Sequence, residues 1–397
     1  MKKGGISYLT AFVLLAGIIF LMPNGIEPRE QRITGFTLSM LIAAGMYVAF
    51  RFDIALGALI LYVCAISWRM AYYDPQFYYM LFALIAFLIW IVKTEHVKKG
   101  ILYDVLIAVA CLNLLFQVLQ LFNINFVIVA HKQTPGLMSN INETSALYAI
   151  TAPAFFRKKR YLLLPVILAG LVISHSFQGV VTFAVVSIIF AIRSLRFKKS
   201  FVLLLIALAV GFTVSIKPFN YQNYQDSRIY VWQNSVKASL IKPVFGWGFN
   251  QSRFVIPLIT SWNQLKPQDR AEIYNQIADK KAFDRVLNKT GYKGNIPELN
   301  DKSHNEYVEW LFVGGFVGLF IGLTALMRLL YEAYSQYDFI PFYGLLSASI
   351  VSLFGFTWHL IPLALMTVLY LALIIRSALN KKQEGENTDG YCACYDY

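Results

Sequence analysis

An arginine near the start of a long polar segment has the position of an anion-binding residue. Asp226 or Ser227 would cap the helix that follows, so Arg228 would lie in its first turn. Backbone N–H groups and the helix dipole favour an anion there, and the guanidinium adds a bidentate donor. The alternative is an interfacial helix whose arginine reaches toward lipid phosphates. The helix is predicted from apolar residues that recur at intervals of three and four: Ile229, Trp232, Val236 and Leu240.

A histidine at the far end of the same segment has the position of a general base. Ser303 and Glu306 have the spacing of a capping box, which would place His304 in the first turn of the next helix. The positive end of a helix dipole lowers the pKa of a histidine in that turn and favours the neutral imidazole that a base requires. The alternative, for His304 and for Asn305, is an exposed residue at a helix start.

Glycines lie between and after these two candidates. Pro243 begins a turn in which Gly246 and Gly248 would let the backbone approach a ligand or another helix closely. Gly314, Gly318 and Gly322 recur four residues apart, and Gly315 lies beside Gly314. This spacing favours close packing of neighbouring helices and no direct part in chemistry.

The elements that carry these residues are predicted to be membrane-spanning helices. Hydrophobic residues make up 57% of the 397 residues and charged residues only 14%, against about 25% charged in soluble domains. Apolar stretches of about spanning length recur from Ile6 to Ile375, which predicts an all-α polytopic membrane protein with about twelve transmembrane helices. The predicted divisions are nine helices in 1–216, a large outer loop with short amphipathic helices in 217–305, three helices in 306–376 and a disordered cytoplasmic tail in 377–397.

Basic residues predict the orientation of these helices. A cytoplasmic amino terminus places most Lys and Arg of the short connections in the cytoplasm, including the run from Arg157 to Arg160. Both termini are then cytoplasmic, and the large loop lies outside. Because this asymmetry explains much of the net charge of +13, nucleic acid is not an expected partner.

The order of these motifs resembles that of the O-antigen ligase and polymerase family of bacterial membrane glycosyltransferases. That family has an Arg and a Trp, then a Pro and a Gly-x-Gly turn, then His-Asn before a Gly-rich helix. The residues that match in this order are Arg228, Trp232, Pro243, Gly246, Gly248, His304, Asn305, Gly315 and Gly318. The resemblance also touches Gly136 and Asn142, and it covers the carboxy-terminal two thirds of the chain.

The resemblance implies an inverting glycosyltransferase of the bacterial cytoplasmic (inner) membrane. It would transfer a glycan from undecaprenyl diphosphate to an acceptor hydroxyl at the outer face, without a metal or another cofactor. It implies Arg228 as the residue that stabilises the diphosphate and His304 as the general base. Residues implied in substrate binding are Trp232, Gly246, Gly248 and Asn305.

The acceptor separates the members of this family. A ligase transfers finished chains to lipid A-core in lipopolysaccharide biosynthesis, a polymerase extends the chain, and a third group glycosylates pilin. Polymerases more often have two large external loops, whereas this chain has one. We therefore expect a ligase, with a polymerase or a protein O-oligosaccharyltransferase as the alternative.

One position departs from the family pattern. Family ligases often have Ser-Arg-Gly between two middle spans, whereas this chain has Gln178 before Gly179. The second arginine for the diphosphate is therefore missing there, and Gln178 is a candidate substrate-binding residue. Arg253 or Lys132 could supply the missing charge.

A transporter or lipid flippase is the rival from another class, because twelve spans are also common in such proteins. A transporter needs a polar residue along a path in mid-membrane, and the main acidic candidate within a span is Asp104. Asp104 is predicted near the cytoplasmic end of its span, which argues against that role.

Overall fold

The described part of the chain is helical, and no β-strand occurs among its residues. The computed structural model describes residues 84–85, 88–89, 91–92, 98–124, 134–138, 140–157, 160–194, 228–248, 251–259, 266–274, 303, 305–336, 338–355, 357 and 361–387. The all-α prediction is confirmed for these residues. Their α-helices are α1 (Lys99–Leu121), α2 (Ile141–Thr151), α3 (Leu164–Ser174), α4 (Phe177–Ser194), α5 (Arg228–Ile241), α6 (Ser252–Ile259), α7 (Pro267–Tyr274), α8 (Glu306–Tyr334), α9 (Ile340–Val351) and α10 (Ile361–Asn387).

Three helices in this described part are long and apolar enough to cross a membrane. They are Lys99–Leu121, Glu306–Tyr334 and, within α10, Pro362–Asn380. Helices α3, α4 and α9 are apolar but shorter. These helices support a membrane protein. The total of about twelve spans stays a prediction, because the stretches predicted as the first three spans and the ninth lie outside the described residues.

The last helix extends further than predicted. It continues to Asn387, so the disordered tail predicted from residue 377 does not begin before residue 388. The added turns are rich in Lys, Gln and Glu, whose straight side chains lose little freedom in a helix. Residues 388–397 lie outside the described part.

Helices in the centre of the bundle approach each other at glycines. The ring of Tyr148 on α2 occupies the place of a side chain at Gly170 on α3, where a Cβ atom would lie 2.2 Å from the ring. The ring of Tyr370 on α10 fits against Gly344 on α9 in the same way, at 2.4 Å. The Tyr370 hydroxyl also donates to the Ile150 carbonyl at 3.0 Å. Glycine therefore permits close contact between helices in an apolar core.

Three buried amides on one face of α1 hold the loop that follows this helix. Asn113, Gln117 and Gln120 are spaced four and three residues apart. The Gln120 amide pairs with both backbone groups of Gly136 at 2.8 Å each, and the Tyr148 hydroxyl donates to Gln117 at 2.6 Å. Two more bonds join Gln117 Nε2 to the Thr134 carbonyl and the Leu137 N–H to Asn113 Oδ1, both at 2.9 Å. Segment 134–138 is thus fixed beside α1, with a turn at Gly136, where φ is +69°.

The turn that begins at Pro243 fits into a break in α8. At Gly315, φ is +62° and ψ is −162°, which interrupts the helix. Two bonds of a continuous helix are therefore missing, and their four backbone groups pair with the turn instead. These bonds are Trp247 N–H to Phe312 O at 2.8 Å, Gly248 N–H to Val313 O at 3.0 Å, Phe316 N–H to Pro243 O at 2.7 Å and Val317 N–H to Val244 O at 3.3 Å.

The break at Gly315 bends α8 sharply. The Trp310 ring lies against Gly322, where a Cβ atom would be 2.6 Å away, although twelve residues of straight helix would separate these positions by about 18 Å. Residues 316–334 form the part after the bend, about 28 Å long at a rise of about 1.5 Å per residue. The packing contact predicted for Gly314 is wrong, because nothing lies within 4 Å of a Cβ atom there.

Two neighbouring substitutions test the break. Gly315→Ala should destabilise the protein by about 2 kcal/mol or more, because its Cβ atom would lie 2.4 Å from the Val244 carbonyl oxygen at a positive φ. Gly314→Ala is the matched control and should leave stability unchanged or raise it by about 0.5–1 kcal/mol. The melting temperature of each purified variant in detergent measures both effects, and equal melting temperatures for the two variants would contradict the break.

Candidate functional site

The turn after α9 is the point where the sequence-predicted residues meet. Arg228 begins α5, and its Nη1 donates to the Phe354 carbonyl in this turn. The side chain is only partly exposed, and this burial lowers the pKa of Arg228 below its usual value. The guanidinium is thus held at a helix N-terminus in a partly dehydrated place, as an anion site requires.

Gln178 approaches the same turn from α4. Its Nε2 donates to the Asn142 carbonyl at 2.7 Å, which fixes the orientation of the amide. Its Oε1 then faces Gly355, where a Cβ atom would lie 3.4 Å away, and it has no hydrogen-bond partner. Next to it, Ser176 donates to the Asn142 side chain at 2.8 Å. The Gln178 position therefore offers a buried neutral acceptor where the family pattern has an arginine.

The start of α8 lies on the other side of this turn. The Glu306 N–H donates to the Ser352 carbonyl at 2.9 Å. Asn305 is the N-cap, because its Oδ1 accepts from the N–H groups of Tyr307 and Val308 at 3.0 and 3.1 Å. The predicted capping box from Ser303 to Glu306 is therefore wrong, and position 304 precedes the cap instead of lying in the first turn.

A buried carboxylate explains why the cap is displaced. Glu309 Oε2 accepts from both the N–H and the hydroxyl of Ser303, at 2.9 and 2.6 Å. Its Oε1 accepts from the Ser252 hydroxyl on α6 at 3.3 Å. Ser303 is thus paired with Glu309 and cannot cap α8. His304 itself lies outside the described residues, but both of its neighbours are fixed.

The remaining predicted residues have no described contact with the turn of residues 352–355. Gly246 and Gly248 face the backbone of α8, so their close approach is to a helix. Trp232 lies on α5 with its ring partly buried, and its Nε1 has no hydrogen-bond partner. Arg253 belongs to α6, but its side chain lies outside the described part, as does Lys132. Whether either residue replaces the missing arginine therefore stays a prediction.

Sequence reasoning missed three parts of this site. No motif marks the turn of residues 352–355, because its role depends on contacts between distant segments. Asn142 was named only as a position that matches the family pattern. In the structure it joins α2 to α4 through Ser176 and Gln178. Glu309 gave a usable signal, since an acidic residue beside an apolar span is rare and often functional.

The comparison with protein families agrees with the motifs. A family model described as O-Antigen ligase matches residues 162–323, about two fifths of the chain. The matched region contains Gln178, Arg228, the turn at Pro243 and the segment around Asn305. The resemblance to the O-antigen ligase and polymerase family is confirmed over this region. No match to a curated protein was found.

Glu309 provides a test of the site's construction. Glu309→Ala would remove the acceptor of both Ser303 donors and weaken the anchor beside His304. Losing a bond to a charged acceptor costs about 1.5–3 kcal/mol, so we expect glycan transfer in membrane vesicles to fall about tenfold or more at unchanged protein level. Glu332→Ala, near the other end of α8, is the control and should keep the wild-type rate. A wild-type rate for Glu309→Ala would contradict the anchoring role.

Proposed function

We propose that this chain is an O-antigen ligase-type glycosyltransferase that takes a glycan from undecaprenyl diphosphate and transfers it to a hydroxyl of lipid A-core. The reaction takes place at the outer face of the inner membrane, with both termini in the cytoplasm. The family match supports the reaction class. The observation that carries the proposal is the partly buried Arg228 guanidinium at the start of α5, in contact with the turn that also meets Gln178 and α8.

Arg228 stabilises the departing lipid diphosphate. Negative charge grows on the diphosphate as its bond to the anomeric carbon breaks. A guanidinium has five N–H donors, so the bond to the Phe354 carbonyl orients the group and leaves donors for the diphosphate. The N–H groups in the first turn of α5 add to this stabilisation. In a partly dehydrated place these interactions are worth more than in water.

His304 accepts the proton of the acceptor hydroxyl. The hydroxyl oxygen then attacks the anomeric carbon from the face opposite the diphosphate, a new glycosidic bond forms, and the lipid diphosphate leaves with its bonding electrons. One displacement inverts the anomeric configuration. The anchoring of Ser303 on Glu309 and of Asn305 on α8 supports this role, because a general base needs a fixed position.

Gln178 contributes to binding and not to charge neutralisation. Its buried Oε1 is an acceptor, so it attracts a hydroxyl or amide N–H of the glycan and repels phosphate oxygens. Among the described residues, Arg228 is the arginine at this turn, and Gln178 stands where the family pattern has a second one. Unless Arg253 or Lys132 supplies that charge, the diphosphate depends more heavily on Arg228.

Two alternatives differ in acceptor or in class. A polymerase or a protein O-oligosaccharyltransferase would use the same residues with another acceptor hydroxyl. A transporter would need Asp104 along a path through the membrane, whereas Asp104 is about half exposed and pairs with Arg157 at 3.3 Å and Arg160 at 3.1 Å. The ion pairs favour a structural role for Asp104 and count against the transporter.

Complementation of a strain that lacks the gene tests the proposal. Arg228→Ala should reduce transfer about a hundred- to a thousandfold, because it removes the charge that stabilises the departing diphosphate. His304→Ala should reduce transfer about a hundred- to ten-thousandfold, because it removes the group that takes the acceptor's proton. On a silver-stained gel, polymer on the acceptor should disappear while lipid-linked polymer persists. Lys237→Ala, which removes an exposed charge from the same helix, should complement fully.

The products separate the alternatives. Single-repeat products in the deletion strain would identify a polymerase in place of a ligase. Full complementation by both Arg228→Ala and His304→Ala, at protein levels equal to wild type, would contradict the catalytic roles and favour the transporter.

A further inference from the structure

We propose that part of the large outer loop inserts into the outer leaflet of the membrane. The inserted surface consists of Ile229, Val236 and Leu240 on α5 together with Val244 and Phe245 at the tip of the turn, and we call it the lipid stripe. Its occupant is the acyl-chain region of the bilayer. The loop therefore lies partly within the membrane that it was predicted to face from outside.

The outward face of α5 is more apolar than that of a helix on a water-exposed surface. Ile229 is 46% and Leu240 61% exposed. The buried side carries Val231 and Ala238 together with the polar Asn234, Ser235 and Ser239, all nearly inaccessible. A helix between a protein core and water would turn its polar residues outward and bury its large apolar ones. A stripe of exposed apolar residues is what an apolar solvent on the outer side requires.

The tip of the turn continues a surface that belongs to a membrane span. Val244 is joined to Val317 by a backbone bond, and Phe245 is 71% exposed. Beyond the bend of α8, Phe316 and Phe320 are also exposed, at 52% and 71%. Exposed apolar side chains continue along this helix to Tyr334.

The length of α8 indicates how deep the tip of the turn, Val244 and Phe245, lies in the membrane. Residues 316–334 are about 28 Å long, close to the roughly 30 Å of a hydrocarbon core. The Tyr334 carbonyl at one end accepts a hydrogen bond from Arg193 in the last turn of α4. A cytoplasmic amino terminus places this basic end of α4 at the cytoplasmic face. Phe316 at the other end then lies near the outer boundary of the hydrocarbon. Val244 and Phe245, next to Phe316, lie at the same boundary.

The polar residues that flank the stripe fit an interfacial helix. Gln233 and Lys237 are exposed on α5 beside the apolar positions, on the side away from Trp232. A lysine at this edge can extend its charged end to lipid headgroups while its stem lies along the acyl chains. Helix α5 would then lie near the headgroup level, which is also where the diphosphate of a membrane-bound donor is found. This last consequence rests on the proposed function, whereas the insertion itself does not.

Spin labels measure the insertion without any assay of activity. Single cysteines are placed at Phe245 or Leu240 in a chain whose four native cysteines are replaced, and Gln233→Cys and Lys237→Cys are the controls. The labelled proteins are reconstituted in phospholipid vesicles, and collisions with oxygen and with a water-soluble nickel chelate are compared by electron paramagnetic resonance. We expect the ratio of oxygen to nickel collisions to be several-fold higher at 245 and 240 than at 233 and 237.

Other outcomes would overturn the proposal. Ratios at 245 and 240 as low as those of a water-exposed label would mean that the stripe faces water. Labels at 245 and 240 that are shielded from both reagents would mean that protein covers the stripe, as in a dimer of this chain. Two positions of the stripe are labelled in separate variants. If one variant fails to fold, the other still tests the insertion.

Discussion

The pairing between the turn at Pro243 and the broken backbone of α8 is the interaction on which the rest of the described structure depends. Four backbone groups exposed by the break at Gly315 would be costly to leave unpaired next to an apolar span. The turn satisfies all four, and this ties the large outer loop to the bundle. The same contact fixes the end of α5, whose other end carries Arg228. A local defect in one helix thereby positions a residue about twenty angstroms away along another.

The need to pair buried polar groups also explains how the site is assembled. The turn of residues 352–355 offers carbonyl groups that cannot bond within α9. They accept from Arg228 and from the Glu306 N–H, so α5 and α8 meet at one place. On the opposite side, amides of α1 hold segment 134–138, and Asn142 beyond it holds Gln178. Gln120, Gln178 and Asn305 are buried, and a buried polar group left without a hydrogen bond would be costly.

The sequence predicted local features well and distant contacts poorly. The helix beginning at Arg228, the turn at Pro243 and the all-helical character follow from spacing and composition, which act over a few residues. The predicted cap of α8 was wrong because Glu309 accepts the hydrogen bonds of Ser303. This pairing depends on the burial of Glu309 against α6, which the sequence does not show. The sequence also did not show whether the apolar face of α5 packs against the protein or points outward. Periodicity identifies an apolar face but does not say whether protein or lipid covers it. The convergence on residues 352–355 joins segments far apart in the chain and carries no sequence signal.

Photo-cross-linking can show whether the lipid diphosphate donor binds at the turn of residues 352–355. A benzophenone amino acid replaces Phe177, whose ring is exposed and lies 6.3 Å from that of Phe354. Phe122, exposed at the end of α1, is the control position. With a radiolabelled lipid-linked glycan in membranes, we expect labelling at 177 that excess unlabelled donor abolishes, and only weak, non-competed labelling at 122. Competed labelling at 122 with none at 177 would show that the donor binds elsewhere.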